Sequence, residues 1–93
     1  IAGAQALKEA GANKVYACAT HGVLSFEAVK KLSNSCIEKI VITNTIKHDK
    51  LKDNNKFEIL SIGHLLGKSV LNIVKDEPIS QIFNDIYKDP LKL

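Results

Sequence analysis

The chain has no tryptophan and no methionine, and only two prolines, two cysteines and five glycines among its 93 residues. Each shortage excludes something. Aromatic residues make up 5%, so any core has to be aliphatic. The basic stripe interleaved with aromatics that marks a nucleic-acid surface is also missing. Thirteen basic against ten acidic residues leave a net charge of +3, scattered along the chain, with the densest groups at Lys30-Lys31 and between Lys47 and Lys56. That excess leaves anionic small molecules open as ligands. No stretch approaches the about 20 apolar residues of a membrane span. Lys8, Glu9 and Lys14 interrupt the region where a signal peptide needs its apolar core. Cys18 and Cys36 show neither C-x-x-C spacing nor zinc-finger partners, which predicts two reduced, buried thiols in a cytosolic protein. There is no glycine-rich phosphate loop, no G-x-S-x-G and no H-E-x-x-H. His48 and His64 lack Cys, Asp or Glu at metal-ligand spacing, so both are read as non-ligands.

What remains is ordinary globular material, 45% hydrophobic and 25% charged. Its length suits one domain or part of one. Residues 2–10 are good helix formers, and Gly11 is placed to end that helix. Val15 to Ala19 is a short apolar run, as a strand covered on both faces would show. Ser25 can cap a helix through Leu32 with Phe26, Val29 and Leu32 on one face. Ile40-Val41-Ile42 reads as a second buried strand, Lys47 to Lys56 as an exposed polar loop, and Phe57 to Ile62 as a third strand. A helix carrying Leu66, Val70, Ile73 and Val74 follows. Pro78 then opens a short helix with Ile79, Ile82, Phe83 and Ile86 on one face, and the tail K-D-P-L-K-L reads as frayed.

The order α-β-α-β-β-α-α predicts an α/β fold, a mostly parallel sheet with helices on its faces. Three strands are few for such a sheet, and an amphipathic helix is already under way at Ile1. Both features predict the second half of a larger α/β domain. They also predict apolar surface around Val15, Ile40 and Val41, where upstream elements would pack.

In open α/β sheets, ligands bind beyond the carboxyl ends of the strands. Thr20-His21-Gly22 and Thr43-Asn44-Thr45 are two such ends. Their hydroxyls, amide and backbone N–H groups suit phosphate or ribose oxygens beside a helix N-terminus. The same residues also serve as plain turn and capping chemistry, with Gly22 supplying an unusual φ. Residue types alone leave both readings open.

Taken together, G-A-N-K-V-Y-A-C-A-T-H-G-V-L-S-F-E-A-V-K-K-L, I-V-I-T-N-T-I and I-L-S-I-G-H-L-L-G-K-S-V-L-N-I-V resemble the C-terminal part of ribose-phosphate pyrophosphokinases, the phosphoribosyl pyrophosphate synthetases, over essentially the whole chain. The resemblance implies a phosphoribosyltransferase-like sheet with helices on both faces. It implies transfer of the diphosphoryl group of MgATP to the 1-hydroxyl of ribose 5-phosphate, in the cytoplasm, by an enzyme that usually assembles as hexamers of dimers. Residues 1–93 would then be the C-terminal part of the second domain. The N-terminal domain, the acidic ribose-phosphate loop, the Mg2+ ligands and the lysine-bearing flexible loop would be absent, leaving no catalytic or metal-binding residue in this segment. Thr20, His21 and Gly22 match a T-H-G turn that supports the active site. Ser80 and Phe83 match two positions of a regulatory phosphate/ADP site, with Pro78 standing where a further serine belongs. Packing on its helix's apolar face is the competing reading of Phe83. Two alternatives stand beside the enzyme segment: a non-catalytic, synthetase-associated regulatory homologue, and an unrelated α/β binding module. The residues preceding Ile1 would separate the first two.

Overall fold

A computed structural model describes residues 1–88, so most of the tail expected to fray lies outside the described residues. The chain divides into two compact units, one ending at Leu60 and one starting at Ser61. The first unit runs α1 (Ala2–Glu9), β1 (Tyr16–Ala19), α2 (Phe26–Ser33), β2 (Lys39–Thr43), a 3-10 turn (Asp49–Leu51) and β3 (Phe57–Leu60). The second holds α3 (Gly63–Val74) and α4 (Ser80–Lys88). The α/β order read from the sequence is the order found, with element ends moved by a residue or two.

Local chemistry sets the helix ends. At the end of α1 the Gly11 backbone turns left-handed, with φ 107°. The Gly11 N–H then donates to the Lys8 carbonyl and the Ala12 N–H to the Leu7 carbonyl, each at 3.0 Å. This doubly bonded cap uses the one residue type that reaches such a φ without strain. The Ser25 hydroxyl accepts from the Ala28 N–H at 3.1 Å and starts α2, as its position predicts.

The three strands are parallel and lie in chain order, β1-β2-β3. Ala17 pairs with Ile40 and Ile40 with Phe57, while Cys18 pairs with Val41 and Val41 with Glu58. Successive side chains alternate faces, so these two rows lie on opposite sides of the sheet. The first row faces the core formed by Ala4, Val15, Ile37, Ile40, Ile42, Leu51 and Phe57, against which Val29 and Leu32 of α2 also pack.

Burial of both sheet faces does not hold. Tyr16, Cys18, Glu58 and Leu60 are exposed and Val41 is half-buried, whereas Val15 and Ile40, expected at an open surface, are buried. The alternation is hidden in the sequence because Cys18, Val41 and Leu60 on the open face are as apolar as the residues facing the core. Cys18 is therefore an exposed free thiol, and Cys36 a half-buried one. Phe26 also departs from expectation. It sits at the first position of α2 and is 73% exposed, while Val29 and Leu32 alone carry that helix's apolar face into the core.

In the second unit, α3 and α4 pack together and Lys68 approaches Asp85 at 3.9 Å. The Asn72 amide donates to the Pro78 carbonyl at 3.0 Å, holding the link between the two helices. Ile82 of α4 is buried, whereas Phe83 is 58% exposed. Packing therefore does not account for Phe83 within the described residues.

Candidate functional site

The candidate site is the carboxyl edge of β1 and β2. β1 ends at Ala19 and β2 at Thr43, and their register continues to bring Thr20 beside Thr43. The Thr43 hydroxyl donates to the Thr20 carbonyl at 2.6 Å. The Thr45 backbone N–H reaches the Thr43 hydroxyl oxygen at 3.3 Å. The Thr45 hydroxyl lies 2.8 Å from the His21 Nδ1 and 3.4 Å from the Thr20 carbonyl. Two loops 24 residues apart in the chain are thus stitched by side chains rather than by further strand pairing.

Gly22 earns its residue type through space rather than dihedral freedom. Among the described glycines only Gly11 has a positive φ, which corrects the expectation of an unusual φ at Gly22. A β-carbon at Gly22 would instead fall 2.6 Å from the Ile42 Cδ1. Ile42 is only 2% exposed, so its tip has little room to retreat. Any larger residue at position 22 must displace the turn or the core beneath it.

The turn is therefore rigid below and open above. Gly22 is buried, whereas Thr20, His21, Asn44 and Thr45 are exposed. The Val23 N–H folds back to the His21 carbonyl at 3.0 Å, tightening the turn before Ser25 caps α2. Hydroxyls and an imidazole at the rim of a sheet can hydrogen-bond an anionic or sugar-like ligand. The same groups already bond one another, so turn chemistry and ligand contact are both served by one arrangement.

A third contributor comes from the loop expected to be exposed. Leu51 is buried at 3% exposure and inserts into the core, which draws His48 inward to half-burial. The His48 Nε2 bonds the Gly22 carbonyl. A carbonyl oxygen only accepts, so this nitrogen carries the proton. Nothing in the spacing of residues 22 and 48 signals this pairing. A lone leucine in a lysine-rich loop is the one hint that the loop is anchored.

Ser80 opens α4 and is exposed, three residues before the half-exposed Phe83, in the second unit. Among the described residues no three His, Cys, Asp or Glu side chains are grouped to hold a metal ion. The candidate edge itself offers hydroxyls and neutral carbonyls rather than carboxylates, which suits magnesium poorly.

The model of the phosphoribosyl synthetase-associated domain matches residues 1–84. The chain belongs to that family. Curated proteins of similar sequence carry the name ribose-phosphate pyrophosphokinase. The protein from Clostridium perfringens is 45% identical over 82 residues, covering 88% of this chain and 26% of its own length. Those from Thermotoga maritima and Bacillus subtilis are 41% and 42% identical, over 89% and 87% of this chain and 26% of their own length. The chain thus spans about a quarter of the length of these relatives. The match runs through both the T-H-G turn and β2, so the stitched edge lies inside the family's shared region.

Proposed function

We propose that this chain is the C-terminal part of a ribose-phosphate pyrophosphokinase, in the second of two phosphoribosyltransferase-like domains. The complete enzyme transfers diphosphate from MgATP to ribose 5-phosphate, giving 5-phosphoribosyl 1-pyrophosphate and AMP for nucleotide biosynthesis. It works in the cytoplasm as a homo-oligomer, a hexamer of dimers. The observation that supports this most is the family match over residues 1–84 together with relatives of that name. Among the described residues no helix is long and apolar enough to cross a membrane. A second reading, a non-catalytic regulatory homologue, draws on the family's description as synthetase-associated.

Within that enzyme, Thr20, His21 and Gly22 brace the ribose-phosphate site. Diphosphoryl transfer is chiefly positioning and charge stabilisation, and the turn contributes position. Its threonine carbonyl is tied to Thr43 at the end of β2 and its histidine ring to Thr45 in the loop that follows, and its glycine lets the backbone close on Ile42. Magnesium would stabilise the charge on the transferred phosphates, held by residues outside this segment, since the groups here do not suit it. No catalytic group is assigned to residues 1–93. Ser80 and Phe83 are proposed to contribute to a regulatory phosphate/ADP site, where Pro78 removes one hydroxyl that a serine would supply.

The test compares the 93-residue chain with the longer protein that this reading requires, both supplied with ATP, Mg2+ and ribose 5-phosphate. The longer protein forms phosphoribosyl pyrophosphate, and the chain alone forms none. His21→Ala in the longer protein raises KM for ribose 5-phosphate by about three- to tenfold, the scale of one lost hydrogen bond, and leaves kcat nearly unchanged. Turnover by the chain alone would remove the segment reading. A longer protein without turnover would favour the regulatory homologue.

A further inference from the structure

We infer that His48 is a positioning residue for the T-H-G turn, and through that turn for the ribose-phosphate site; the inference rests on the function proposed above. The loop after β2 is lysine-rich, and its polarity alone would leave it in solvent. Two features hold it instead. Leu51, at the end of the 3-10 turn, is buried in the core, and its N–H returns to the His48 carbonyl at 3.2 Å. His48 is therefore fixed from its C-terminal side by an apolar anchor three residues on. Its ring then reaches back across the carboxyl edge to the Gly22 carbonyl.

That carbonyl is the turn's exit. The His21 carbonyl is already taken by the Val23 N–H, and the Thr20 carbonyl by the Thr43 and Thr45 hydroxyls. The Gly22 carbonyl is the one acceptor of the three that takes its bond from outside the two strand ends. Gly22 has no side chain to lock its backbone, and a β-carbon there would also meet the His48 Nε2 at 3.5 Å. The imidazole thus lies in van der Waals reach of the side of Gly22 where a β-carbon would point, the space itself being closed by Ile42. Removing the imidazole frees the peptide between Gly22 and Val23 to rotate. The adjacent His21 ring then loses the fixed approach that sets its 2.8 Å bond to Thr45.

A residue that merely fills space would be replaced adequately by leucine, and a positioning donor would not. Glutamine supplies an N–H at similar reach, so His48→Leu and His48→Gln separate the two roles. The first measurement is the 15N-edited NMR spectrum of the His21 imidazole in the 93-residue chain. The second is KM and kcat for ribose 5-phosphate in the longer protein. His48→Leu shifts the His21 ring signals and raises KM by about three- to tenfold with kcat nearly kept, and His48→Gln restores both. If His21 signals in a folded His48→Leu chain match the parent, His48 does not position the turn and the inference is overturned. If they shift and glutamine restores them while KM stays constant, His48 does place the turn. The turn's assignment to the ribose-phosphate site then fails instead.

Discussion

Asp76 is the one described non-glycine residue with a positive φ, at 58°. It follows the last turn of α3, where its N–H reaches the Ile73 carbonyl at 3.2 Å and the Glu77 N–H reaches the Asn72 carbonyl at 2.8 Å. This is the cap that Gly11 makes for α1, built here on an L-residue whose Cβ crowds the left-handed backbone. The Asp76 carboxylate also stands at the negative end of the helix dipole. Asp76→Gly therefore stabilises the α3–α4 unit by about 0.5–1 kcal/mol, read as a higher urea midpoint of the helical circular dichroism signal. A lower midpoint would mean that the carboxylate does something for the unit beyond what its cap geometry shows. Residues also mark where reading from sequence succeeds and fails. Gly11 and Ser25 were legible because a cap is decided within four residues of itself. His48 was not, because its partner lies 26 residues away and its residue type carries no spacing code. Gly22 was legible as a turn glycine but for the wrong reason, since its neighbour Ile42 is supplied by another strand.

Among elements, α2 ends in an arrangement unlike those glycine-type caps. The Lys56 ammonium, from the residue before β3, donates to the Ser35 carbonyl at 2.7 Å, the Ser33 carbonyl at 3.1 Å and the Leu32 carbonyl at 3.4 Å. The Asn54 amide reaches the Ser33 hydroxyl at 3.0 Å beside it. A cation at a helix C-terminus meets both the unpaired carbonyls and the dipole. Lys56→Met keeps most of the stem but leaves the Ser33 and Ser35 carbonyls to water, while the Leu32 carbonyl keeps its bonds from the Ser35 N–H and hydroxyl. It costs about 1–2 kcal/mol, and amide exchange in the last turn of α2 accelerates. If exchange there is unchanged while global stability falls, the ammonium stabilises something other than the helix end. The helices and strands themselves were legible because their periodicities are local. The sidedness of the sheet was not, because Val41 and Cys18 on the open face are as apolar as Ile40 and Ala17 on the covered one. Composition alone cannot say which face meets a helix.

For the whole molecule, exposed apolar surface decides behaviour. Leu66, Val70, Ile73 and Val74 of α3 are 54%, 59%, 63% and 76% exposed, and Tyr87 of α4 is 84% exposed. The α3 residues recur at helical spacing, so they form a stripe rather than scattered points. The 93-residue chain therefore self-associates, and its sedimentation coefficient rises with concentration. Val70→Lys lowers that rise. A monomer at all concentrations would mean that the stripe is covered by some rearrangement of the chain.

The connection between β2 and β3 has a consequence of another kind, for the order in which the sheet assembles. Parallel strands need a crossover of about a dozen residues, and here residues 44–56 supply it with one 3-10 turn and no α-helix. Bringing the ends of such a segment together costs entropy before any strand pairing repays it. The fastenings of Asn54 and Lys56 to the end of α2 shorten the unfastened path, but they exist only once α2 has formed. The β1-α2-β2 unit thus acts as the template, and β3 docks on it late. Substitutions in β3 accordingly speed unfolding far more than they slow folding, so the third strand sets how long the folded unit lasts rather than how quickly it forms.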